Sequence, residues 1–155
     1  MGSRAQWLAI IAGGVIAGTV DIGAACLIFH ADPVTILHAV ASGFLGPASF
    51  HSGVASAVLG AVSQIGISIG AAAVYVFAAA CFPVLIRRTI GGGLVFGACV
   101  YFVMNDIVVP LSSAKPHTHF TWQLFAENML AMFVFGLLIA FTARYLLAER
   151  TYAGA

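Results

Sequence analysis

Long apolar runs, separated by short polar or proline-bearing segments, occupy almost the whole chain. Four windows, residues 6–29, 52–86, 90–111 and 121–147, are each long enough to cross a bilayer, which takes about 20 apolar residues in a helix. None of them alternates apolar and polar positions as a barrel strand does. An isolated strand leaves its backbone unpaired in lipid, so the spans are predicted to be helices. The stretch between the first two windows, "ADPVTILHAVASGFLGP", has its own helical signals. Asp32 suits an N-cap and Pro33 the first helical position. Ile36, Leu37, Val40 and Phe44 follow at helical spacing, and Gly46-Pro47 ends the run. The segment is too short to span, so the prediction is an interfacial or re-entrant helix in the first outer, periplasmic connection.

Composition changes the picture from apolar to lipid-soluble. Of 155 residues, 62% are hydrophobic and 7% charged, and the mean hydropathy is +1.08. A soluble domain carries about 25% charged residues. The expected class is therefore an all-α membrane protein, a four-transmembrane-helix bundle forming one integral domain over 1–155. The first run is too long for a signal-peptide core and reads as a retained span. A net charge of +1 supplies no basic stripe for phosphates, which excludes nucleic acid as a partner.

The cations set the expected orientation. Arg4, Arg87, Arg88, Arg144 and Arg150 all fall on one side of the four spans, and Lys115 alone falls on the other. Basic residues stay cytoplasmic, so both termini are expected inside. Trp7, Trp122, Tyr145 and Phe120 suit the interfacial aromatic belts.

Glycine is placed for close helix contact. GxxxG occurs at Gly14 and Gly18, at Gly66 and Gly70, and at Gly93 and Gly97, and the second span adds small residues at Gly53, Ser56, Gly60 and Ser63. Small residues let backbones approach where lipid removes the hydrophobic drive for association. The fourth span is bulky instead, with Phe125, Met129, Met132, Phe133, Phe135 and Phe141, and is expected to face lipid or a partner over much of its girth. Cys26, Cys81 and Cys99 match no metal or redox spacing and read as small apolar core residues.

Polar side chains inside the spans are the candidate chemistry. Asp21 in the first span, Asn105 and Asp106 in the third, and Glu127 and Asn128 in the fourth fall in the same outer half of the bilayer, with no Lys or Arg at that depth. Gly13, Ala17 and Asp21 are four apart, as are Gly93, Gly97, Tyr101 and Asn105, so both polar groups continue small-residue rows. Pro110 lacks the N–H that would reach the carbonyl of residue 106. These groups form either a functional pocket, the default for ionisable residues in a membrane, or hydrogen bonds between helices. All five histidines, His30, His38, His51, His117 and His119, fall in the two outer connections. His117-x-His119 is a chelating spacing, and the set is a candidate for a divalent cation, zinc or copper, against the simpler reading of solvated loop residues.

The chain resembles a family of small four-span bacterial inner-membrane proteins of unassigned biochemical activity. The resemblance rests on "AGTVDI" at 17–22, "ASGFLG" at 41–46, "YFVMNDIVVPLS" at 101–112 and Asn128. It implies a four-helix fold in the bacterial cytoplasmic membrane, and it implies no reaction. The histidines are not part of that pattern.

Two functions compete. The first is a non-catalytic accessory subunit or partner-binding scaffold of a larger membrane complex, packed through glycine faces against other membrane subunits or itself. The alternative is a homo-oligomer that moves or senses a cation or proton through the outer Asp/Glu/Asn pocket. An enzyme is not expected: no HExxH helix is present, and the GxSxG match at Gly66 to Gly70 lies inside an apolar helical span, not on the strand-to-helix turn that makes a nucleophile elbow.

Overall fold

The structure, a computed structural model, describes residues 4–113 and 121–153. Among these residues it is all helical. α1 spans Arg4–Phe29, α2 Pro33–Leu45, α3 Gly53–Cys81, α4 Val84–Arg87, α5 Thr89–Phe102, α6 Val109–Leu111 and α7 Trp122–Ala153. A 3₁₀ helix, Gly46–His51, joins α2 to α3, and a π-helix, Val103–Val108, joins α5 to α6. Five stretches are long and apolar enough to cross a membrane: α1, α2 with its 3₁₀ extension, α3, α5 through α6, and α7; the segment after α1, expected to be too short to span, reaches that length because the 3₁₀ helix continues it. Large apolar side chains point outward along these helices, Leu27, Val54 and Leu111 being 77%, 80% and 83% exposed. Such a surface is compatible with a helical membrane protein.

Neighbouring long helices run antiparallel, in the order α3, α1, α7, α5. α1 is the wedge. Its buried positions form two rows four residues apart, Ala5, Ala9, Gly13 and Ala17 in one, and Ile10, Gly14 and Gly18 in the other. Gly13 faces Thr142 of α7, while Gly14 and Gly18 face Ile69 and Ser68 of α3. A Cβ on Gly14 would stand 2.5 Å from the Ile69 Cα, so only glycine permits this approach. On the other side of α7, Gly93 and Gly97 meet Leu137, Met132 and Phe133.

The bulky fourth span proves to be central and not peripheral. α7 packs on both α1 and α5, and Phe135, Ile139, Ala140 and Ala143 are buried in the core. Glycines on both neighbours let the α7 backbone and its small Thr142 and Ala140 side chains come close. The Gly66–Gly70 pair is the reverse case: both are exposed, and neither has anything within 4 Å of a Cβ position, so they serve no packing role among the described residues. None of the three cysteines is buried; Cys81 and Cys99 are exposed, so they are not the expected core residues.

The second span is shorter than its apolar window. α3 stops at Cys81 because Pro83 holds Phe82 in an extended conformation, φ −124° and ψ 85°. The turn α4 then folds back, and its Leu85 carbonyl accepts a hydrogen bond from the Tyr75 hydroxyl at 3.2 Å. Tyr75 is 1% exposed and meets Phe96 edge-on at 5.1 Å, plugging this end of the bundle.

Arg4, Arg87, Arg88 and Arg144 lie at the same end as α4. The core sits at this arginine end. α1 buries nothing after Gly18 and α5 nothing after Gly97, and α7 buries nothing before Phe135. At the opposite end, α2 and the 3₁₀ helix cover the start of α3, where Ser56, Ala57 and Gly60 are buried.

Candidate functional site

The polar groups singled out by depth all lie toward the α2 end, where packing is loose. Asp21 turns to α3, and Gln64 Nε2 donates to its Oδ2 at 2.7 Å. Gln64 had no motif to mark it. The signal was position: Ser56, Gly60, Gln64 and Ser68 are four apart on α3, and the row faces α2 and α1. Ser68 donates to the Gln64 carbonyl at 2.8 Å, one turn below the pair.

Three of the other four groups, Asn105, Glu127 and Asn128, bond locally. Asn105 Nδ2 donates to the Tyr101 carbonyl at 2.9 Å, and Asn128 Nδ2 donates to the Leu124 carbonyl at 2.8 Å. Gln123 Nε2 donates to Glu127 Oε1 at 2.9 Å along one face of α7. Asp106 and Asn105 are exposed. Among the described residues, no hydrogen bond joins any two of Asp21, Asn105, Asp106, Glu127 and Asn128.

The π-helix explains the exposure of Asn105 and Asp106. Val109 N–H donates five residues back, to the Met104 carbonyl, just before Pro110, which has no N–H to give. The wider turn lets the ladder step past the proline. No residue of the π-helix or of α6 is buried. Their tip is tied down instead by Ser113, whose N–H donates to the Gly43 carbonyl of α2 at 2.9 Å.

α2 has the caps that its sequence foretold. The Asp32 carboxylate accepts from the Thr35 N–H at 3.2 Å and from the Thr35 hydroxyl at 2.7 Å, and Gly46, at φ +60°, ends the helix. Its seat on α3 is polar and tight. The Leu37 carbonyl presses on Gly60. His38 Nδ1 lies 2.9 Å from Ser56 Oγ, and Ser56 Oγ donates to the Ser49 carbonyl at 2.7 Å. With that hydroxyl proton committed to Ser49, His38 acts as the donor to Ser56, so the pair is a tether rather than a nucleophile and its base. Ser49 Oγ itself is fully buried and has no partner among the described residues.

His30, His38 and His51 stand at separate places: the end of α1, the middle of α2 and the end of the 3₁₀ helix. His117 and His119 lie outside the described residues, as do Lys115 and Phe120. Among the described residues, no three His, Cys, Asp or Glu side chains gather as a metal site.

A cleft of about 580 Å³ opens between the end of α1 and the start of α7, lined by Leu27, Ile28, His30, Thr121, Gln123, Leu124 and Glu127. Here a sequence-predicted acid, Glu127, and a sequence-predicted histidine, His30, line the same space. Comparison of the chain with protein-family models, curated proteins and solved structures gives no match.

Proposed function

We propose that the chain is a non-catalytic subunit of a larger membrane complex. It crosses the bacterial inner membrane four times, with the arginine end in the cytoplasm and α2 with its 3₁₀ extension at the periplasmic interface. The asymmetry of Arg4, Arg87, Arg88 and Arg144 supports this orientation.

The observation that carries the reading is the bare outer part of the third span. Val103 to Leu111 buries no residue and exposes Asn105 and Asp106. A carboxylate facing hydrocarbon is costly, and such groups face protein or water in membrane bundles. A second polypeptide against this segment supplies that cover. The exposed Gly66–Gly70 pair on α3 is a second small-residue face open to a helix from outside. The scatter of the five polar groups favours this reading over a cation route, which needs them in one place.

A photoreactive residue at position 106, illuminated in intact membranes, tests it. The expected product is an adduct to one membrane polypeptide, lost when Gly66 and Gly70 are replaced by Leu only if both faces serve the same partner. Adducts to lipid alone overturn the reading.

A further inference from the structure

The cleft between α1 and α7 has chemistry that the subunit reading does not use. We infer that it holds the headgroup of one phospholipid carrying a primary ammonium, drawn from the leaflet at the α2 end. This stands independently of the subunit reading.

The lining sorts into three parts. Leu27, Ile28 and Leu124 supply apolar wall for the upper acyl chains. His30 and Thr121 supply N–H and O–H donors for phosphate oxygens. Glu127 supplies a carboxylate for the ammonium. Its Oε1 is held by Gln123 at 2.9 Å, which fixes the group along α7 and leaves Oε2 for a ligand. A zwitterionic head matches both kinds of group at once. A quaternary ammonium has no N–H to offer the carboxylate, and an anionic glycerol head brings the same phosphate with no ammonium to offset the carboxylate.

The backbone gives an independent sign. Among the described residues His30 is the non-glycine residue with positive φ, +49°, and closes α1 with the Ala31 N–H donating to the Cys26 carbonyl at 3.2 Å. Glycine takes this left-handed closing position without strain. A histidine there holds an imidazole at the mouth of the cleft against the backbone preference, and such outliers gather at binding sites. Neighbouring Trp122 is 77% exposed, as an indole at the headgroup level would be.

The test is native mass spectrometry of the purified full chain in detergent, with equal amounts of phosphatidylethanolamine, phosphatidylcholine and phosphatidylglycerol of matched acyl chains. One ethanolamine lipid is expected to be retained about tenfold over either competitor, about 1.4 kcal/mol. Glu127→Gln is expected to erase the preference over choline while the protein stays folded. His30→Gly is expected to raise the melting temperature, because it relieves the strained φ, and to lower retention of all three lipids. Equal retention of the three lipids by the unaltered chain overturns the inference. So does an ethanolamine preference that survives Glu127→Gln.

Discussion

Gly136 and Gly97 stand backbone to backbone. A Cβ on Gly136 would lie 2.7 Å from the Gly97 amide nitrogen and 2.9 Å from its Cα, and the Gly93 carbonyl closes on the same spot. Neither helix has a flexible side chain to move aside, so even alanine must push α5 and α7 apart. Gly136→Ala gains about 1 kcal/mol of helix propensity but incurs overpacking of about 1–3 kcal/mol. The expected net is a lower melting temperature in detergent. An unchanged or higher value means that the two helices do not touch there.

Gly66→Ala and Gly70→Ala are the matched opposites. With nothing within 4 Å of either Cβ position, each substitution is expected to stabilise the isolated chain by up to about 1 kcal/mol through helix propensity alone. Unfolding in mixed micelles reads this directly. Destabilisation of the isolated chain would place an intramolecular neighbour on that face.

Asp21 and Gln64 are predicted to couple. A double-mutant cycle with Asp21→Ala and Gln64→Ala isolates the pair. Hydrogen bonds between membrane helices average about 0.6 kcal/mol and reach about 1.7. The half-buried carboxylate places this pair in the upper part of that range. Additive effects of the two substitutions would show that the side chains are not bonded.

The two serines at the base of α2 are predicted to respond in opposite directions. Ser56→Ala takes the acceptor from His38 and the donor from the Ser49 carbonyl, at a cost of about 1–2 kcal/mol. Amide exchange across residues 33–51 should then quicken. Ser49→Ala removes a buried hydroxyl that has no partner and should leave stability equal or higher. Equal losses from both would mean that Ser49 makes a hydrogen bond of its own.

The parts of this fold that depend on local signals could be read from the chain. Asp32-Pro33 and Gly46-Pro47 delimit α2 because caps are written in adjacent residues. Gly14, Gly18, Gly93 and Gly97 reach their contacts because a small row on a helix must meet something. Gly66 and Gly70 have the same spacing and meet nothing among the described residues, since the motif marks a face without saying whose helix covers it. Gly136 escaped notice because its partner glycines are on α5 and not four residues along α7. The centrality of α7 was hidden for the same reason: the glycines that admit its backbone are on other helices. Of the polar groups, the shared end of the helices was legible and direction was not. Asp21 turns to Gln64, while Asn105 and Asp106 point outward, because a π-helix and Pro110 change the angular phase of the third span.

The third span is buried only toward its arginine end, which makes it a lever. Its fulcrum is the glycine contact at Gly93 and Gly97, and Leu111 lies about 21 Å beyond Gly97 at helical rise. A tilt of ~10° about that point carries the tip sideways by roughly 4 Å without parting any buried pair. Because Ser113 is bonded to the Gly43 carbonyl, that swing pulls on α2, so whatever grips the bare face of the third span also moves the cover over the start of α3.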